Sequence, residues 1–125
     1  MTETTPATTG RLDGLVQTSK TDWTPLAEPG IDTRGISLKA LHRDAGTGRP
    51  ISFLLRFEPG SRYPYHSHPA GEEIFVVDGT CIIEEQTLSG GDYLYTPPGG
   101  KHAVRTDDGC TLFFRVPEEV QMLAP

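Results

Sequence analysis

Glycine and proline punctuate this chain so evenly that no stretch free of both exceeds ten residues. An average helix needs about 11 to 12 residues, and one interior glycine or proline costs it roughly 1 or 3 kcal/mol. Helical bundles and coiled coils are therefore excluded, leaving short strands joined by tight turns. A length of 125 residues suits one compact domain.

From Ile36 onward short apolar runs alternate with turn signals. Strands are expected near 36–43, 51–58, 62–68, 72–77, 80–86, 92–96, 101–106 and 110–116, with turns that include Pro59-Gly60, Asp78-Gly79 and Asp107-Asp108-Gly109. Eight such strands fit an all-β closed or jelly-roll barrel. The run Ile74-Phe75-Val76-Val77 does not alternate, so its strand is expected to be covered on both faces, by the N-terminal segment or by a second subunit. A homodimer is the expected assembly. Residues 1–11 hold almost nothing apolar and are expected to form a disordered tail. Residues 12–125 form the single domain, which begins with an extended arm anchored by Trp23.

Composition removes several function classes. The net charge is −6 with no run of Lys or Arg, so the cationic footprint that nucleic acid requires is missing. No apolar run approaches the roughly 18 residues of a membrane span. The first residues lack the basic and apolar regions of a signal peptide, so a cytoplasmic location without membrane partners is expected. Cys81 and Cys110 are too few for a disulfide framework and read as reduced, buried thiols.

The chemistry gathers in two glycine-framed segments. In the first, His66 and His68 stand two apart, which in a strand puts both on one side about 6.5–7 Å apart along the chain. Two imidazoles so placed can share a metal ion. Glu72, just beyond the Pro69-Ala70-Gly71 turn, would add an oxygen ligand and bias the site toward Fe(II), Mn(II) or Ni(II). The second segment ends in His102, which could complete a set of three histidines and one glutamate.

These segments resemble the paired motifs of the cupin superfamily, G-x5-H-x-H-x3-E-x6-G and G-x5-P-x-G-x2-H. Gly60, His66, His68, Glu72 and Gly79 match the first, and Gly91, Pro97, Gly99 and His102 the second. Within the superfamily the stretches 69–79, 95–99 and 109–114 are most similar to the ChrR-like cupin domain, which occurs alone or as the C-terminal half of some anti-sigma factors. The likeness spans roughly residues 22–118. It implies a cupin-type jelly-roll β-barrel (a double-stranded β-helix) holding one divalent metal ion on His66, His68, Glu72 and His102, with Fe(II), Zn, Mn(II), Ni and Co as alternatives. Thr106 replaces an asparagine common in the second motif but not usually a ligand, and only eleven residues separate Gly79 from Gly91, which trims a hairpin. The helical half that binds sigma factors is not in this sequence, so no anti-sigma activity is carried over.

Plainer readings stand beside these. The four residues could persist in a barrel that has lost its metal, although burying a carboxylate without a cation is costly. Glu73 rivals Glu72 but belongs to the opposite face of its strand. His42 reads as a surface imidazole at a strand end. Of Tyr63, Tyr65, Tyr93 and Tyr95, one or two are expected to line a pocket. Arg56 could point either into the cavity or outward. Three functions fit the site: a non-haem metal-dependent oxygenase acting on a small enolisable, β-dicarbonyl or enediol-type substrate, with Glu72 as a ligand that also acts as catalytic base; a zinc- or ligand-binding sensor; and a metal-dependent isomerase or cyclase.

Overall fold

The computed structural model describes residues 12–123, so the expected tail over 1–11 lies outside the described residues. After a single 3-10 turn at Thr18–Lys20, ten strands follow: β1 Thr24–Pro25, β2 Ile36–Arg43, β3 Pro50–Phe57, β4 Arg62–His68, β5 Glu72–Ile83, β6 Gln86–Ser89, β7 Tyr93–Thr96, β8 Gly100–Arg105, β9 Cys110–Arg115 and β10 Gln121–Met122. Every pairing is antiparallel. The first half of β5 joins a sheet in the order β1-β2-β3-β9-β5-β7, and its second half pairs with β6 and β8 of a smaller sheet that continues through β4 to β10. One strand therefore belongs to both walls of a curled, all-β barrel of the cupin jelly-roll type. No helix among the described residues is long and apolar enough to cross a membrane.

Alternation along the strands decides what the barrel encloses. Ile74 and Val76 of β5, Leu112 and Phe114 of β9, and Leu55 and Phe57 of β3 all turn inward and are buried. Each such side chain contributes roughly 1.5–3 kcal/mol by leaving water. The expectation that the run at 74–77 is covered on both faces is not met within this chain. Phe75 and Val77 are 42% and 49% exposed, because the period of two in a strand outweighs the absence of alternation in the sequence.

The arm covers the other end of the same outer face. Lys39 Nζ and the Arg56 guanidinium lie 4.7 and 4.6 Å from the Trp23 ring; both project outward, so Arg56, whose direction the sequence left open, does not enter the cavity. Lys39 Nζ also donates to the Thr18 carbonyl at 2.5 Å, so a largely buried cation is matched by a ring and an oxygen.

Two boundaries shift. Asp78-Gly79 is not a turn; β5 continues through it, with a bulge between Val76 and Asp78 against β9 where the strand passes from one wall to the other. The reversal comes at Glu84-Glu85, between the paired Ile83 and Gln86, and both glutamates take positive φ, 49° and 65°. A two-residue hairpin needs that handedness, and here it is met without Gly or Asn, so no turn signal marked it.

Candidate metal centre

The two motif loops are tied to one atom. The carbonyl oxygen of His68 accepts from Gly71 N–H at 3.1 Å and from Gly99 N–H at 2.8 Å. This brings the start of β5, and so Glu72, and the start of β8, and so His102, to the end of β4. Gly71 is required there: its φ is +85°, and a Cβ would lie 2.9 Å from the Thr96 carbonyl.

On β4, His66 is the direct cross-strand partner of His102, while the pairing slips between Tyr63 and His66. Pro64 sits in that slip, where a residue without an N–H does least harm. The bulge lets Tyr63 and His66, three residues apart, both face the interior, their rings meeting edge-on at 4.9 Å. Tyr65 is left outside, 45% exposed.

All four expected ligands converge. His66, His68, Glu72 and His102 are each 3% exposed or less, and their donor atoms lie within 4.8 Å of one another. His66 Nδ1–H donates to the Pro64 carbonyl at 2.6 Å, which leaves Nε2 with its lone pair toward the centre. His68 Nε2 stands 3.0 Å from His102 Nε2, and Glu72 Oε1 stands 3.3 and 3.1 Å from those same two atoms. Burial holds His66 down to about 4 and His68 down to about 3, in each case with help from neighbouring imidazoles, so both rings are neutral at pH 7. Burial pushes the Glu72 carboxyl up, a hydrogen bond to His102 opposing it. Nε2 of His68, Nε2 of His102 and Oε1 of Glu72 lie within 3.3 Å of one another, and a proton shared between any two leaves the third unpaired, a triangle that one cation among them would satisfy. Buried His68 Nδ1 also lacks a hydrogen-bond partner, and buried Glu72 Oε1 has none beyond its approach to the His68 and His102 rings. The donor set therefore fits a divalent ion, which takes imidazole nitrogen and carboxylate oxygen together.

The same shifts fix how the metal-free protein responds to acid. Unfolded imidazoles titrate near 6.5 and the folded ones near 4 and 3, so between those values the unfolded chain binds more protons and stability rises with pH. Glu72 works the other way above 4.5, where its folded form keeps a proton that the unfolded form has lost. Two imidazoles outweigh one carboxyl. The urea midpoint of chelator-treated protein should fall as pH is lowered from 7 to 5, and His68→Ala should flatten that dependence.

The centre opens onto a cavity of about 380 Å³. Its wall is mainly apolar, from Leu38, Phe53, Leu55, Phe57, Phe114 and Val116, with His66 and Glu72 on its surface and Arg43 and Arg49 contributing to its lining. The arm lends Leu26 and Glu28, and Tyr63 Oη–H donates to Glu28 Oε1 at 2.5 Å. Burial, and then the Glu28 carboxylate, keep the Tyr63 phenol protonated. Glu28, Arg43 and Arg49 were not found from sequence, because nothing local shows that an arm or a rim loop lies over a cavity.

The remaining residues fall where they do little at the centre. Glu73 faces outward and accepts from Tyr93 Oη at 2.8 Å, and His42 is exposed. Of the four tyrosines, only Tyr63 lines the cavity. Cys81 and Cys110 are free and buried as expected. They are also neighbours: a hydrogen bond to Cys110 and then burial hold the Cys81 thiol well above its ordinary value, so it stays protonated.

Comparison with known proteins agrees with this geometry. The acetylacetone dioxygenase of Acinetobacter johnsonii superposes with a TM-score of 0.73 at 17% identity, over 99% of this chain and 82% of that one. The polyketide cyclase RemF of Streptomyces resistomycificus superposes at 0.71 and 19%, over 89% and 85%. Dimethylsulfoniopropionate lyase DddQ of Ruegeria pomeroyi is 32% identical over 74 residues, 50% of this chain and 37% of its own. The chain spans well under half the length of the curated relatives it matches. The sequence pattern of the ChrR Cupin-like domain covers residues 12–118, from the arm through the last core strand, both histidine segments included. With barrel, ligand group and sequence pattern in agreement, the chain belongs to the ChrR Cupin-like domain family.

Proposed function

We propose that this protein is a metal-dependent oxygenase of a small enolisable substrate of the β-dicarbonyl or enediol type. The observation that carries the reading is the convergence of three buried imidazoles and one carboxylate at the surface of a cavity of about 380 Å³ whose wall is otherwise mainly apolar. His66, His68 and His102 would hold the ion as neutral donors, and Glu72 would offset one of its charges. A bound Fe(II) supplies Lewis acidity and redox chemistry with dioxygen, and four protein ligands on an ion that takes six leave room for substrate. The apolar wall limits water, and Tyr63 with Glu28 gives it a polar point for a substrate oxygen. Glu72, a ligand at the edge of the cavity, would also be placed to accept the proton that enolisation releases. The solved relative that acts on acetylacetone, a 1,3-diketone, supports this substrate class.

A second reading has a specific basis. DddQ, a lyase by name, matches this chain at higher identity than the dioxygenase does, and RemF is a cyclase. Both favour the same ion as a Lewis acid for elimination, isomerisation or cyclisation without dioxygen. Elemental analysis of protein purified without added metal, followed by oxygen-electrode assays with 1,3-diketones and enediols, separates the readings. We expect Fe(II)-dependent oxygen uptake with at least one 1,3-diketone. Turnover that persists anaerobically would favour the lyase or cyclase reading. Bound zinc with no turnover would return the site to a sensory role.

A further inference from the structure

The outer face of the larger sheet is covered at one end only. Trp23 lies over Lys39 and Arg56 on the β2/β3 side, while four of the exposed large hydrophobic residues among those described gather at the other end: Phe75, Val77, Tyr93 and Tyr95. β7, which carries the two tyrosines, pairs only with β5 and so forms the edge of this sheet. The exposed parts of these four side chains come to roughly 400 Å², within the size range of the largest apolar patch on a monomer, which is often functional.

Strand register orders this face into rows. One row reads Tyr93, Phe75, Phe113, Leu54 across β7, β5, β9 and β3, and the next reads Tyr95, Glu73, Arg115, Ser52. A two-fold axis lying along the strands between β5 and β9 maps each row onto itself in reverse. Phe75 then lies over Phe113 of a second copy and Tyr93 over its Leu54, while Glu73 lies over its Arg115 and Arg115 over its Glu73. The apolar row is self-complementary in shape, and the charged row is self-complementary in sign. Within one chain the Glu73 carboxylate is engaged by Tyr93, and among the described residues no ion pair joins it to Arg115.

We propose that this face is the homodimer interface, two copies packing sheet to sheet about that axis with the modest inclination of about 30° usual for aligned sheets. The four side chains supply about half of the roughly 800 Å² that each partner buries in a standard interface, and the flanking Phe113, Leu54 and charged row supply more. The two metal centres lie on the inner side of the barrel walls, away from the contact, so each barrel keeps its own cavity.

Sedimentation velocity on the full chain between about 1 and about 100 µM, a span suited to an interface of this size, tests the proposal. The wild-type protein should sediment as a dimer. Phe75→Asp should sediment as a monomer with unchanged β-sheet circular dichroism and metal content. Glu73→Arg or Arg115→Glu alone, which sets like charges face to face, should weaken the dimer by about tenfold, and the two together should recover most of that loss. The charge variants carry the test if Phe75→Asp fails to fold. A wild-type monomer across the range would overturn the proposal and give the face to a different chain. A dimer indifferent to Phe75→Asp, or a double charge variant no tighter than the singles, would overturn it as well.

Discussion

Protein in which His66 and His68 are both replaced by alanine should purify with no more than trace metal, whereas His42→Ala and Glu73→Gln should keep the wild-type content. The expectation follows from how the four ligands are held. His66 faces His102 across the β4/β8 ladder, and His68 stands 3.0 Å from His102 through their Nε2 atoms, so the double change leaves one imidazole and one carboxylate. Two ligands do not retain a divalent ion through purification when three or four is the rule for protein sites. The fold should survive, because the apolar core of Ile74, Val76, Leu112 and Phe114 is untouched by the change. Inductively coupled plasma mass spectrometry, with circular dichroism as the check on folding, reads the outcome. Stoichiometric metal in the double variant would refute the ligand assignment.

Gly79→Ala should have the largest effect on stability of any single methyl addition in the barrel. Gly79 has φ +81°, and a Cβ there would run into the Gly109 carbonyl oxygen and come within 2.7 Å of the Cys110 Cα. Both obstacles are backbone, so no side chain can rotate aside. Left-handed strain and steric overlap each cost about 1–3 kcal/mol, and together they should lower the melting temperature by roughly 10 °C. Gly48→Ala offers the contrast. Its φ of +76° carries similar strain, but nothing lies within 4 Å of the added methyl, so the steric part is missing. Thermal unfolding of the two variants separates conformation from collision, and equal losses would show that close approach at Gly79 is unimportant.

These two residues also mark what the sequence could disclose. The ligand set was legible because coordination demands particular side chains at particular spacings, and spacing is written directly in the chain. Gly79 was legible as a fixed glycine, but its role was misread. A local reading finds a turn at Asp-Gly, whereas the strand continues there because β9 approaches from a distance of thirty residues along the chain. The true reversal at Glu84-Glu85 carries no turn composition, since hairpin register on both sides forces it. Arg56 could be assigned to neither face until Trp23 was placed beside it. The contribution of Glu28 to the cavity depends on the arm folding back across the barrel, a tertiary event that no periodicity encodes.

That strap spans two surfaces. Its Trp23 end is gripped on the exterior by Lys39 and Arg56, and five residues later Glu28 meets Tyr63 inside. Loosening the exterior grip would therefore reshape the chamber from a distance. Variation at two outward-facing cationic positions gives relatives of this protein a route to altered ligand preference that leaves every chamber wall residue as it is.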